Sequence, residues 1–267
     1  MQRTKLIIDL VYIFFGGLIA GALGVLLGLG GGVFLIPFLV VVVGVPIHQA
    51  IATSIVSVIA TSSAGTIMNL ERHLVNIRLG MLLEMATVTG AILGGITANK
   101  LNANLLTKLF AVVLLIIAFF MLYKNIRKDK GKNEIGKEPI NLDLVSNYRV
   151  DKFGFTMVVS LVAGSLSGLL GIGGGILKVP AMNVLSNIPI KIAIATSNFM
   201  IGVTAAASAF IYFAHGNINP YITSSAALGV LCGAVLGVKI NRRIENMWIV
   251  YLFTIILLIT SFQLFLK

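Results

Sequence analysis

The chain has 267 residues, of which 58% are hydrophobic and 11% charged, with a formal net charge of +11 and a mean hydropathy of +1.02. Soluble domains do not reach such values, so the protein belongs in a lipid bilayer. The positive charge does not point to nucleic acid, because eight of the twenty basic residues (Lys124, Arg127, Lys128, Lys130, Lys132, Lys137, Arg149 and Lys152) fall in one polar segment, 124–152. That clustering is the pattern of a cytoplasmic loop.

In chain order, residues 7–27 form the first apolar run, preceded by Arg3 and Lys5. With no soluble domain behind it, this run reads as a membrane span and not as a cleaved secretory signal. Further runs at 48–69, 78–98, 104–123, 153–170, 190–214, 221–240 and 246–266 bring the number to eight. Each is close to the roughly 20 helical residues that cross a bilayer, and none alternates as barrel strands do. The expected fold is an all-α polytopic membrane protein. Its first transmembrane repeat covers 7–123, the charged linker 124–152, and the second repeat 153–267. Gly, Pro and the acidic residues Asp129, Glu134, Glu138, Asp143 and Asp151 mark the linker as flexible. Cys232 is the single cysteine, which excludes an internal disulfide.

The repeats are visible residue by residue. Shifting the chain by 143 positions aligns Gly21 with Gly164, Gly30–Gly32 with Gly173–Gly175, Pro37 with Pro180, Pro46 with Pro189, and the string IATS at 51–54 with IATS at 194–197. About half of the positions from 21 to 54 are identical to their partners, and the register continues through Thr61 with Thr204, Gly90 with Gly233 and Gly94 with Gly237. A duplicated unit explains this. The motifs GLGGGVFLIP at 28–37 and GIGGGILKVP at 171–180, the prolines after them, the two ATS strings and the linker resemble the sulfite exporter TauE/SafE family over nearly the whole chain. The resemblance implies a membrane transporter, and a small sulfur-containing anion such as sulfite or a sulfonate as its cargo.

The glycines also carry a physical reading. Three adjacent glycines at a helix start leave backbone N–H groups unshielded, and helix N-termini favour anions. The segments that follow, 33–44 and 176–186, are about 18 Å long as helices, too short to span, and are expected to be broken or re-entrant. Interrupted segments at matching places in two repeats point to a transporter's binding site. Gly30, Gly31, Gly32, Gly173, Gly174 and Gly175 are therefore candidate anion donors. The pairs Gly17 with Gly21, Gly90 with Gly94, Gly164 with Gly168 and Gly233 with Gly237 have the spacing of close helix packing instead. Neither motif ends in the Gly-Lys-Ser/Thr of a nucleotide loop.

Polar residues inside the spans complete the candidate site. Thr53, Ser54, Thr196, Ser197 and Asn198 lie near the starts of long helices, where hydroxyls and an amide could donate to an oxyanion; helix caps or bonds to i−4 carbonyls are the alternative. Lys178 stands where the first repeat has Leu35, so the fold does not require it. It either adds a positive charge beside the anion site or snorkels to the interface. Glu84, opposite Ala227, could pair with Lys178 or carry a coupling proton. Its position six residues after Arg78, about 9 Å along a helix, favours an interfacial carboxylate. His48, His73 and His215 show no metal-ligand spacing, and no cofactor, metal or nucleic acid is expected.

The function these features favour is a secondary transporter of a small inorganic or organic anion in the plasma membrane, working by alternating access with a possible coupling proton or ion. A passive anion channel is the alternative. A membrane-embedded enzyme ranks lower, because the spans show neither a nucleophile with its base nor a metal cluster. Two topologies remain open. With five crossings per repeat the halves are inverted, which alternating access favours; with re-entrant short segments there are four crossings and the halves run alike.

Overall fold

The computed structural model describes residues 2–27, 30–129, 153–240 and 246–266, all but a few of them helical, with no strand among them. The first half contains α1 (Gln2–Leu27), α2 (Gly32–Pro37), α3 (Ile47–Glu71), α4 (Ile77–Lys100) and α5 (Ala103–Asp129). The second contains α6 (Phe153–Leu170), α7 (Gly175–Pro180), α8 (Ile190–Ala214), α9 (Pro220–Ile240) and α10 (Asn246–Leu266). Six of these helices, α1, α3, α4, α6, α8 and α9, are long and apolar enough to cross a membrane. Every apolar run expected from the sequence is helical. Of the expected linker, the residues through Asp129 belong to α5 and 130–152 lie outside the described residues.

The short segments have a local cause. α2 and α7 each end in a proline, Pro37 and Pro180, and each continues as π-helix, Phe38–Val43 and Ala181–Leu185. Proline has no N–H and its ring crowds the carbonyl four residues back, so the regular ladder cannot continue through it. Here the backbone goes on with the wider i→i+5 pattern. A second proline, Pro46 or Pro189, then caps α3 or α8 in an extended conformation and lets a long helix begin at once.

The halves interlock through glycine. A Cβ on Gly21 of α1 would lie 2.1 Å from the Val230 carbonyl oxygen of α9, and one on Gly164 of α6 2.1 Å from that of Thr87 of α4. Gly233 against Leu18 (1.9 Å) and Gly90 against Leu161 (2.1 Å) repeat the relation, as do Gly237 against Ala22 and Gly94 against Ser165. Each contact has its counterpart 143 residues away. Backbones this close leave no room for any side chain, which is how small residues hold membrane helices together where lipid is as apolar as the helix surface.

These contacts also set directions. Along α4, Gly80, Glu84 and Gly95 meet Phe199, Thr204 and Ile211 of α8 in rising order, and Gly90 and Gly94 meet Leu161 and Ser165 of α6 in rising order. Thus α6 and α8 point the same way, and the chain returns between them along α7, with Gly174 beside Ala163 and Ser186 bonded to Thr156. The first half folds alike, with Gly31 against Gly24 and Phe38 against Gly16. Across the centre α3 and α8 are antiparallel, Gly65 meeting Asn198 and Gly202 meeting Ser62.

Substituting one of the interlocking glycines tests this packing. Gly164→Val should lower stability by about 1–3 kcal/mol or abolish folding, because the Thr87 carbonyl is backbone and cannot step aside. Gly154→Val, in the same helix with open space around it, should change little. Thermal unfolding of the detergent-solubilised variants compares the two.

Candidate functional site

Both glycine turns converge on the crossing of α3 and α8. Gly30 and Gly173, equivalent by the repeat, each have Val58 and Ile201 as their nearest side chains. Gly31 (φ +78°) and Gly174 (φ +70°) precede α2 and α7 in the left-handed region, which glycine enters freely and other residues rarely adopt. The carbonyl of Gly31 accepts from the N–H groups of Phe34 and Leu35, and that of Gly174 from Leu177 and Lys178, so each turn is tied to the helix it starts.

Hydroxyls of α3 hold the turns of both halves. Thr61 Oγ1 donates to the Gly30 carbonyl at 2.9 Å, and Ser54 Oγ to the Gly171 carbonyl at 2.8 Å. Thr53 Oγ1 and Thr223 Oγ1 of α9 lie 3.1 Å apart, and the N–H of Asn76, ahead of α4, donates to Thr196 Oγ1 at 3.0 Å. Ser62 Oγ donates to the Asn198 carbonyl. Ser54, Thr53 and Thr196 thus bond across elements and serve neither as helix caps nor as i−4 back-bonds. Ser197 Oγ is buried with no hydrogen-bond partner among the described residues. Gly24, Gly30, Thr61, Ser62, Gly65 and Asn198 enclose a cavity of about 10 Å³, room for one water-sized sphere.

Lys178 and Glu84 meet beside this crossing. The Lys178 side chain is completely buried, and its Nζ donates to Thr204 Oγ1 of α8 at 2.8 Å and stands 3.7 Å from Glu84 Oε2. Thr204 Oγ1 lies 2.5 Å from Glu84 Oε1, and Thr87 Oγ1 2.7 Å from Oε2. Glu84, one of whose expected readings was as Lys178's partner, is 5% exposed, because α4 turns this face toward α8. Snorkelling of Lys178 is excluded by its burial. The lysine beside the glycine turn is balanced by the carboxylate that the sequence offered as one possible partner.

Thr204 and Thr87 escaped the sequence reading. Thr204 aligns with Thr61 in the repeat, but its position between Lys178 and Glu84 depends on α4 packing against α8, a contact between residues 120 apart. Thr87 was within reach, being one helical turn beyond Glu84. Of the histidines, His48 contacts the Ala98 carbonyl through Nε2 at 3.1 Å, and His73 and His215 are exposed.

Comparison with known proteins gives a consistent picture. The profile of the family described as Sulfite exporter TauE/SafE matches residues 13–264. The chain is 30% identical over 259 residues to the probable membrane transporter protein YunE of Bacillus subtilis, covering 93% of this chain and 94% of that one. It is 25% identical to the probable membrane transporter protein YdhB of the same organism (87% and 89% covered) and 26% identical to the probable membrane transporter protein MJ0441 of Methanocaldococcus jannaschii (86% and 85%). No solved structure matches.

The buried pair makes a stability prediction. Removing one partner strands the other in an apolar interior, so Glu84→Leu or Lys178→Met alone should each destabilise the protein by about 3–5 kcal/mol. The double variant should recover most of that loss, since two apolar side chains satisfy each other. Additive losses in a double-mutant cycle of thermal unfolding would show that the two charges do not interact.

Proposed function

The chain belongs to the sulfite exporter TauE/SafE family and is a membrane transporter, and we propose that it is a secondary transporter whose cargo is a small anion such as sulfite or a sulfonate. The observation that carries this reading is the meeting of two glycine turns from the two halves at one buried point between α3 and α8. Turns of this kind are the membrane form of a backbone anion site, and their place between repeats is where alternating access needs a ligand.

The helix directions suit inverted repeats. α1 packs on α9 and α4 on α6 through glycine-to-carbonyl contacts too close to slide, so each pair moves as a unit. Motion of the α1–α9 unit against the α4–α6 unit would open the crossing to one side and then the other. Arg72 and Arg78 at the α3–α4 turn and Lys191 at the start of α8 lie at the same end of the parallel α4 and α8. The positive-inside rule makes this end, with the basic linker, cytoplasmic. Both termini then lie outside the plasma membrane's cytoplasmic face, and a reporter fused after Lys267 should read as extracytoplasmic.

A panel of small anions tests the substrate class. Sulfite, methanesulfonate, acetate and phosphate are added to the purified protein, and an anion present at 100 times its dissociation constant should raise stability by about 2.7 kcal/mol. Uptake of the stabilising anion into proteoliposomes should saturate, as a carrier requires and an open channel does not. Lys178→Met should weaken its binding more than tenfold, about 1.4 kcal/mol, while Leu35→Met at the equivalent position should not. A panel in which no anion stabilises the protein overturns the anion reading.

A further inference from the structure

We propose that Glu84 is the transporter's proton-binding site, and that protonation of its carboxylate releases Lys178 to take up the anion, so that one proton and one anion cross together. This rests on the anion-transport reading above. Glu84 lies on α4, Thr204 on α8 and Lys178 on α7, so the cluster joins the α4–α6 unit to the crossing where the glycine turns meet.

Two features single the cluster out. The carboxylate is served by hydroxyls at both oxygens, Thr204 on Oε1 and Thr87 on Oε2. The ammonium is not equally served. Among the described residues one of its N–H groups donates to Thr204, and the Glu84 carboxylate, 3.7 Å away, balances its charge. A fully buried ammonium with a spare donor can take a further acceptor, and an oxyanion supplies one.

Charge counting then brings in the proton. The pair sums to zero. An anion binding to Lys178 would leave a net negative charge in the interior, where a repelling carboxylate is poorly screened. A proton taken from water onto Glu84 restores neutrality. Thr204 allows the exchange without moving any backbone: its Oγ1 also lies 2.9 Å from the Met200 carbonyl. When Glu84 is ionised the Thr204 hydroxyl donates to it; when Glu84 is protonated the carboxyl O–H donates to Thr204, whose own hydrogen turns to Met200.

Among the described residues the surrounding elements add no competing titratable group nearby. Arg78 and Lys100 stand at the ends of α4, Lys191 at the start of α8, and Tyr212 near its end donates to the Gly168 carbonyl. α6 carries no charged residue. In the other half Leu35 and Ala227 replace Lys178 and Glu84, so the described residues hold one such site, which suits one proton per cycle.

The test uses methanesulfonate, which stays ionised and so cannot itself release or take a proton, added to lightly buffered purified protein. We expect about one proton taken up per anion bound, and an infrared difference spectrum in which a protonated-carboxyl band grows. The apparent affinity should fall about tenfold per pH unit on the alkaline side, as one-proton linkage demands. Glu84→Gln, a fixed neutral mimic, should bind methanesulfonate without proton uptake and independently of pH. Binding without proton uptake by the unmodified protein, or uptake that persists in Glu84→Gln, overturns the proposal and leaves the anion reading standing. Should Glu84→Gln not fold, the proton count and the carboxyl band of the unmodified protein decide. If no anion of the panel binds, both readings fall together.

Discussion

The architecture depends on backbone-to-backbone contact between the two halves. In lipid there is little hydrophobic gain from burying one apolar helix against another, so association rests on close packing and on polar contacts. Here the closest approaches are α1 on α9 and α4 on α6, where glycines stand directly against carbonyl oxygens of the neighbouring helix. Because the contacts recur at the repeat offset, one packing solution is used twice. The crossing of α3 and α8 is thereby held between two tight pairs, and whatever chemistry the protein performs is framed by them.

Interrupting a helix in a membrane exposes backbone groups that lipid cannot satisfy. The two broken segments avoid this by burying the break. Gly30 and Gly173 face Val58 and Ile201 from either side, and hydroxyls of α3 accept the task of bonding the carbonyls that the turns free. Ser54 and Thr61, after Pro46, therefore hold the turns of both broken segments in place.

Against this two-fold background the ion pair is the main departure. Thr61 and Thr204 are equivalent in sequence, yet Thr61 bonds the Gly30 carbonyl while Thr204 stands between Lys178 and Glu84. The first half keeps Leu35, fully buried, where the second has the lysine. Buried pairs of charges give little net stability relative to apolar replacements, so the retention of one pair in one half points to a use beyond holding the fold.

The sequence alone determined what composition and local chemistry determine: helices long enough to span, breaks where Gly-Gly-Gly and proline forbid regular hydrogen bonding, and two halves in a register of 143 residues. It also picked out Lys178 and Glu84, since charge is rare in apolar runs and neither has an equivalent in the other half. It could not orient them. Distance from a helix end placed Glu84 at the interface, but depth and facing are set by neighbouring helices, and only the packing of α4 against α8 turned it inward onto Thr204 and Lys178. Likewise the direction of each half was open to two countings, because the short segments are neither clear spans nor clear loops. The order of contacts along α4, α6 and α8 gives these helices their directions relative to one another, since pairing between distant helices follows from shape complementarity over the whole bundle, which no local pattern encodes.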